Sequence, residues 1–338
     1  MLARGSPRRR LRTVGLVGLF VLFAVELTLG WNSLAEAFER LRTPQPGWLV
    51  CAMLAELAAM TSYARLQRRL LWSAGLRVPL YKHVALAYAA HSLSATLPGG
   101  PAFSTHFNFR QMRRFGASAA VASWCIALSA ILSSAALAVI TAAGTLAVHG
   151  RPHWTTLAGL AAAGLALTVG VRWVGRHPAA LTSVTRGAVA RVNRALRRPA
   201  TRGLDQVEAF LDQLHAARLT PGHAAMAGLY AVFNWLFDAA CLWLCFHAVG
   251  HESIGGAQVL LAYCAGMAAG TLTVIPGGIG IIDSALILGL VAGSAPTATA
   301  VATVVLYRIL SFGVIVGMGW ISWLAIRRRY PPVETPPT

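Results

Sequence analysis

The sequence predicts an all-α integral membrane protein with six full transmembrane helices plus two re-entrant broken-helix hairpins in an inverted-topology repeat. Three observations lead there. Of its 338 residues, 56% are hydrophobic and only 12% charged, with a mean hydropathy of +0.60; soluble domains carry roughly twice that charge. Apolar runs near the ~20 residues that cross a bilayer core recur along the chain. Finally, two stretches repeat one pattern, an apolar helix, a Leu/Ile-Pro-Gly-Gly break and a second helix: Leu93–His106 around Pro98, Gly99 and Gly100, and Thr271–Ser284 around Pro276, Gly277 and Gly278. Pro cannot continue a helix and paired Gly lets the chain reverse at little steric cost. Such a break is expensive in lipid unless protein or a water-filled cavity surrounds it. The alternative is two kinked spans with a packing role only.

The elements follow in order. Arg4, Arg8, Arg9, Arg10 and Arg12 place the N-terminus in the cytoplasm. Span 1 runs from about Val14 to Trp31, is retained rather than cleaved as a signal peptide, and carries Glu26. The loop to Pro46 holds Glu36, Glu39, Arg40 and Arg42 and faces outward. Span 2 (about Trp48–Leu71) has Glu56 near its middle and returns to Arg65, Arg68 and Arg69.

The first hairpin has arms of about His83–Leu97 and Ala102–Met112, each too short for a core of ~30 Å. Arg77 and Lys82 precede it and Arg110, Arg113 and Arg114 follow it, so the chain enters and leaves on one side. Span 3 (about Ala117–Val148) and span 4 (about Trp154–Trp173) lead out and back. An Arg-rich cytoplasmic linker (about 174–222) includes an apolar stripe over Leu204–Leu219 that suits either an amphipathic surface helix or a solvated connector. Span 5 (about Ala224–Ala248) carries Asn234 and Asp238 one turn apart. The second hairpin has arms of about Ala257–Ile275 and Ile279–Ala292, and span 6 (about Pro296–Ile326) returns to Arg327, Arg328 and Arg329. Residues 1–326 form one polytopic domain, with repeat A at about 48–148 and repeat B at about 223–326; the Pro-rich tail 327–338 is cytoplasmic and disordered. Both termini then lie inside, and the hairpins enter from opposite faces. That plan recurs among secondary transporters with a midplane site. Were both hairpins to span, the helix number would rise to about ten and the symmetry would weaken.

The formal charge of +18 suggests nucleic acid, but the arginines flank apolar runs, which is the positive-inside pattern with added attraction for anionic lipid. Nucleic acid is therefore excluded as a partner. Cys51, Cys125, Cys241, Cys245 and Cys264 all lie in apolar runs without a CxxC and read as buried thiols, and no metal or other cofactor is expected. Lys82, the single lysine, follows Tyr81, so the chain has no Gly-Lys-Ser/Thr phosphate loop and no direct ATP coupling of that kind.

A helix that begins after each break offers free N–H groups and a positive dipole end, which favour an anion. The amides of Ala102–Ser104 and Ile279–Ile281 would meet near the midplane, with Gly99, Gly100, Gly277, Gly278 and Gly280 allowing close approach of a phosphate-bearing headgroup. Charges inside the membrane are costly and mark function. Asp283, one turn into the second hairpin's exit helix, is either a helix-terminus carboxylate or a site for a cationic headgroup or proton. Arg308, after Tyr307, is a partner for phosphate or for Asp283. Ser104, His106, Asn108 and Arg110 line the first exit arm, Arg110 alternatively snorkelling to the surface. Glu56 and Asp238 occupy equivalent places in the two repeats, as a proton relay or in structural pairs with arginines, and His91 reads as a satisfied polar group.

Leu97-Pro98-Gly99-Gly100, Phe109–Ser118, Ile275–Gly280 and Leu306–Ser311, in this order and spacing, resemble the motifs of the lysylphosphatidylglycerol synthase transmembrane-region family of flippase-like proteins. The resemblance covers roughly residues 14–326. It implies a multi-span domain of the kind that moves aminoacylated phosphatidylglycerol between leaflets in multiple peptide resistance factors. Many relatives carry an acid just after the first break, where this chain has Phe103-Ser104-Thr105-His106, and Asp283 stands where relatives often have Glu. The first departure argues against a carboxylate site in hairpin one; the second keeps the charge with a shorter reach. The chain ends soon after span 6, leaving no room for the soluble aminoacyl-transferase domain of full synthases.

The expected function is a non-enzymatic lipid translocase in a bacterial-type plasma membrane, moving a phosphate-bearing, in one form aminoacylated, headgroup between leaflets. Its partners are membrane lipids: anionic or aminoacylated phospholipid, or a polyprenyl-phosphate lipid. A separate synthase subunit and a homo-oligomer are both compatible with the sequence. The alternative is an intramembrane transferase, or a membrane partner subunit, acting with polyprenyl-phosphate-linked sugars. Asp205, Glu208 and Asp212 are the acids outside the membrane nearest to a catalytic cluster, and their helical spacing reads as a solvated face. A scaffold that docks a synthase through the Arg-rich loop is a further option.

Overall fold

The computed structural model describes residues 31–149, 220–250, 254–270 and 276–329, and among these every regular element is helical. The expected spans 1 and 4, most of the Arg-rich linker, and the tail beyond 329 lie outside the described residues. Helix α1 (Trp31–Arg42) precedes α2 (Pro46–Ser73). The first hairpin is α3 (Leu80–Thr96) and α4 (Gly100–Arg114), followed by α5 (Ala119–His149). After the gap come α6 (Pro221–Val249) and the second hairpin, α7 (Gly256–Gly270), a 3-10 turn (Pro276–Gly278) and α8 (Ile281–Ala292). Helix α9 (Thr297–Arg308) passes through a π-helical turn (Ile309–Val314) into α10 (Ile315–Arg329).

Four of these helices are long and apolar enough to cross a membrane: Pro46–Ser73, Ala119–Val148, Gly222–Val249 and the continuous Thr297–Arg328. They coincide with expected spans 2, 3, 5 and 6. Boundaries follow local chemistry. Pro46 sits in the first turn of α2, where its missing N–H is harmless, and left-handed Gly75 (φ 84°) follows its end. Thr220 caps α6, its hydroxyl accepting the His223 N–H at 3.5 Å.

Two features depart from the sequence reading. The segment expected as an outward loop before Pro46 is helical. Glu36 and Arg40 pair at i,i+4 (2.9 Å) and Glu39 and Arg42 at i,i+3 (2.9 Å), so charges read as loop residues support a helix instead. The π turn inside span 6 was not anticipated; such turns are common at functional sites and leave little trace in sequence.

Helices α2 and α6 run antiparallel along a long seam. The Gln45 N–H donates to the Ala248 carbonyl (2.9 Å) at one end, and Trp72 meets His223 (6.1 Å) at the other. The hairpin arms pack crosswise. The first arm, α3, lies on α10: Ser92 donates to the Val316 carbonyl (2.9 Å), and a Cβ on Gly319 would stand 1.8 Å from the Ser92 oxygen. Only glycine permits that approach. The second arm, α7, lies on α5, where Leu261 fills the space beside Gly144. The largest buried cluster joins α6, α7, α8 and α9, with Tyr263, Phe246, Leu286 and Leu290 at its centre. Four cysteines are buried as expected, but Cys51 is exposed, because it lies on the outer side of α2.

Candidate functional site

The first break is compact. Leu97 is extended, Gly99 is left-handed (φ 67°), and the Gly100 N–H bonds the Leu97 carbonyl at 2.8 Å. The Ala102 N–H donates to the Gly99 carbonyl at 2.9 Å, and Pro101 has no N–H. The Gly100 and Ala102 amides at the start of α4 are thus already bonded, contrary to the expected free amide at Ala102. The loop is also tightly packed: a Cβ on Gly100 would meet the Ser94 carbonyl oxygen at 2.1 Å.

The second break is charged. Gly277, Gly278 and Gly280 all have positive φ. Asp283 accepts the Gly280 N–H at 2.8 Å, capping α8, and its other oxygen accepts from Arg308 Nε in an ion pair. Arg308 Nη1 donates to the Gly277 carbonyl at 3.3 Å. Arg308 therefore staples α9 to the break. Its Nη2 is buried with no hydrogen-bond partner.

Between the breaks lies a cavity of about 560 Å³, bounded by Gly99, Gly100, Gly277, Gly278, Tyr307 and Arg308. Helices α2 and α6 contribute Glu56 and Asp238 to its wall, and α3 contributes His91 and Ser94. Asp238 accepts two tyrosine hydroxyls, Tyr263 at 2.6 Å and Tyr307 at 2.7 Å. Both tyrosines are buried. Glu56 is 4% exposed, neighbours Asp238 and Cys241, and its Oε2 has no hydrogen-bond partner.

The expected site residues divide accordingly. Glu56, Gly99, Gly100, Asp238, Gly277, Gly278, Tyr307 and Arg308 line one cavity, and Asp283 supports it from behind through Arg308. Pro98 and Gly280 shape the breaks without lining the cavity, and Pro276 opens the 3-10 turn of the second. His106 and Arg110 line a different cavity of about 360 Å³ with Arg114, Trp323 and Arg327, so they do not join the central group. Ser104 lines neither. The acids at Glu56 and Asp238 meet each other and two tyrosines; the ion pair sought from an arginine falls to Asp283 instead. Sequence reasoning missed Tyr263, Ser311 and Phe312. A tyrosine inside an apolar helix needs a partner for its hydroxyl, which was a usable signal for Tyr263; Ser311 and Phe312 enter through the π turn. Among the described residues no group of three or more His, Cys, Asp or Glu is placed to hold a metal ion.

A polytopic helical membrane protein with broken helices around a cavity lined by charged residues is the class that this architecture defines. The chain belongs to the lysylphosphatidylglycerol synthase TM region family, whose model matches residues 13–319. It is also similar to the UPF0104 membrane protein MJ1595 of Methanocaldococcus jannaschii, at 26% identity over 130 residues; the match covers 38% of this chain and 38% of that protein. Family membership carries a membrane, lipid-related role.

Proposed function

We propose that this chain is a lipid translocase that carries a phosphate-bearing headgroup between leaflets through the cavity between the two Pro-Gly-Gly breaks. The observation that carries the reading is Arg308. It lines the cavity and is held in place by Asp283 and the Gly277 carbonyl, and its Nη2 is buried without a hydrogen-bond partner. A buried donor left unmade is costly, and a phosphate oxygen is the acceptor that fits it. The acidic wall opposite suits an amino group, so an aminoacylated or otherwise amino-bearing phospholipid matches both sides.

The re-entrant, inverted plan is part of the same proposal. Helices α3 and α4 have 17 and 15 residues, about 26 and 22 Å at 1.5 Å per residue, short of the ~30 Å core. The antiparallel α2–α6 seam and the crosswise pairs α3–α10 and α7–α5 support a two-fold relation between the halves. Arginine placement supports a plasma-membrane location with both termini cytoplasmic. The chain itself is proposed to perform transport and no chemical reaction.

The test is headgroup accessibility in proteoliposomes. Fluorescent phosphatidylglycerol, its lysyl ester and a polyprenyl-phosphate sugar are each exposed to an impermeant quencher, with wild type and Asp283→Asn/Arg308→Gln. Rapid loss of the protected signal for one lipid, abolished in the double variant, is expected. Equal protection with and without protein for all three lipids overturns the reading.

A further inference from the structure

We propose that the Glu56–Asp238 carboxyl pair on the cavity wall is a proton-binding site, and that its proton is exchanged during each transport cycle. Two observations carry this beyond a cluster of acids. The Glu56 side chain is more than nine-tenths buried, lines the cavity, and leaves Oε2 without a hydrogen-bond donor. Asp238, beside it, has both oxygens committed to the hydroxyls of Tyr263 and Tyr307. Tyrosine hydroxyls donate best to an ionised carboxylate, so Asp238 is the charged member. A second bare negative charge against it, in a site walled by α2 and α6, is strongly disfavoured. A proton on Glu56 removes that repulsion and turns Oε2 from an acceptor without a donor into a hydroxyl that can donate to the Asp238 carboxylate beside it.

The surrounding groups do not neutralise the pair in another way. On α9, Arg308 is the cation of the same cavity, but Asp283 on α8 already balances it. From α3, Tyr88 lies near Glu56 and His91 near Asp238, both outside the tyrosine clamp. On α6, Cys241 and Cys245 are buried thiols beside Glu56. Among the described residues no group of three or more His, Cys, Asp or Glu is placed to hold a metal ion, and the sodium replacement below tests an inorganic cation directly. The proton enters from bulk water through the cavity, binds Glu56 Oε2 and leaves to the opposite bulk phase. No bond other than O–H forms or breaks.

The geometry also links proton and lipid. The pair and Arg308 face one cavity of about 560 Å³, so an amino-bearing headgroup placed on Arg308 by its phosphate brings its cation to the acidic wall. The amine and the proton then compete for one negative site. This coupling rests on the translocase reading; proton binding does not.

The experiment therefore has two arms. In the first, infrared difference spectra of the purified full chain in lipid are recorded in H2O and D2O at neutral pH. A protonated buried carboxylic acid is expected as a deuterium-sensitive carbonyl band, lost in Glu56→Gln and kept in Asp283→Asn. No such band in wild type, or a band untouched by Glu56→Gln, overturns the proton site whatever the transport result. In the second arm, wild-type translocation in proteoliposomes is followed with and without a pH gradient, sodium being replaced by choline. A rate that changes with the gradient, by up to about tenfold per pH unit for one proton, and insensitivity in Glu56→Gln, support the coupling. A wild-type rate that responds to sodium but not to the gradient overturns it. Absent translocation in wild type with the band present removes the translocase reading and the coupling, and leaves the proton site standing.

Discussion

The two helix breaks begin from nearly the same four residues and end as different devices. At Leu97-Pro98-Gly99-Gly100 the chain closes on itself. Its first amides bond its own carbonyls, and Gly100 packs against the backbone of Ser94. At Pro276-Gly277-Gly278 the turn is followed by a further left-handed glycine, Gly280, and anchored by charge through Asp283 and Arg308. The first break is a wall held by shape; the second is a wall held by an ion pair, and the arginine of that pair keeps a buried nitrogen without a hydrogen-bond partner. A sequence motif that reads as a symmetric anion cradle thus has one chemically active half.

The largest effect that sharpens this contrast comes from Arg308→Ala. It leaves Asp283 without its cation and releases the Gly277 carbonyl. Removing one member of a buried pair costs about 3–5 kcal/mol, and partial exposure (21% for Arg308, 25% for Asp283) puts this pair at the low end, about 3 kcal/mol. The thermal midpoint in detergent, followed by tryptophan fluorescence, should fall clearly for Arg308→Ala. It should recover in Asp283→Asn/Arg308→Gln, which removes both charges, while transport stays lost. An unchanged midpoint in Arg308→Ala would show that the second break is held by packing, like the first.

How far the sequence reading reached follows from the same contrast. Spans 2, 3, 5 and 6 and the hairpin arms were readable because apolar runs, Pro-Gly-Gly punctuation and flanking arginines are local signals. The Asp283–Arg308 pair was readable as one of the two partners open to Arg308, since intramembrane charges are few and seek each other. What escaped depends on three-dimensional fit. Nothing in the local sequence says that the Ala102 amide is already used, and nothing in Arg110 or His106 says that they turn to another cavity. The meeting of Glu56 with Asp238 follows from the α2–α6 seam, which spacing within either helix does not reveal. The α1 segment was misread because its charges stabilise a helix through i,i+4 pairing rather than marking a loop.

Gly100→Ala tests whether the first break is held by shape. An added Cβ would sit 2.1 Å from the Ser94 carbonyl oxygen, a backbone atom that cannot swing aside. Overpacking of this kind costs about 1–3 kcal/mol, and a backbone obstacle places it toward the upper end. The variant should show a lowered thermal midpoint and, because α3 and α4 are pushed apart beside the cavity, reduced translocation of every lipid alike. Selective loss of one lipid would instead mean that Gly100 touches the headgroup.

The smallest effect separates conformational strain from crowding. Gly99 and Gly277 share the same left-handed φ of 67°, but a Cβ on Gly99 would have nothing within 4 Å, whereas one on Gly277 would meet the Phe312 ring at 2.5 Å. Gly99→Ala should therefore cost only the left-handed penalty, about 1–2 kcal/mol. Gly277→Ala adds the displacement of Phe312 on the π turn, a residue of the cavity wall. Gly99→Asn should recover part of the loss, since Asn tolerates this conformation, and Gly277→Asn should not, since the ring remains in the way. Midpoints measured for the four variants under one detergent condition decide the point. Equal losses at Gly99 and Gly277 would mean that Phe312 moves freely, and that the second break owes its form to the ion pair alone.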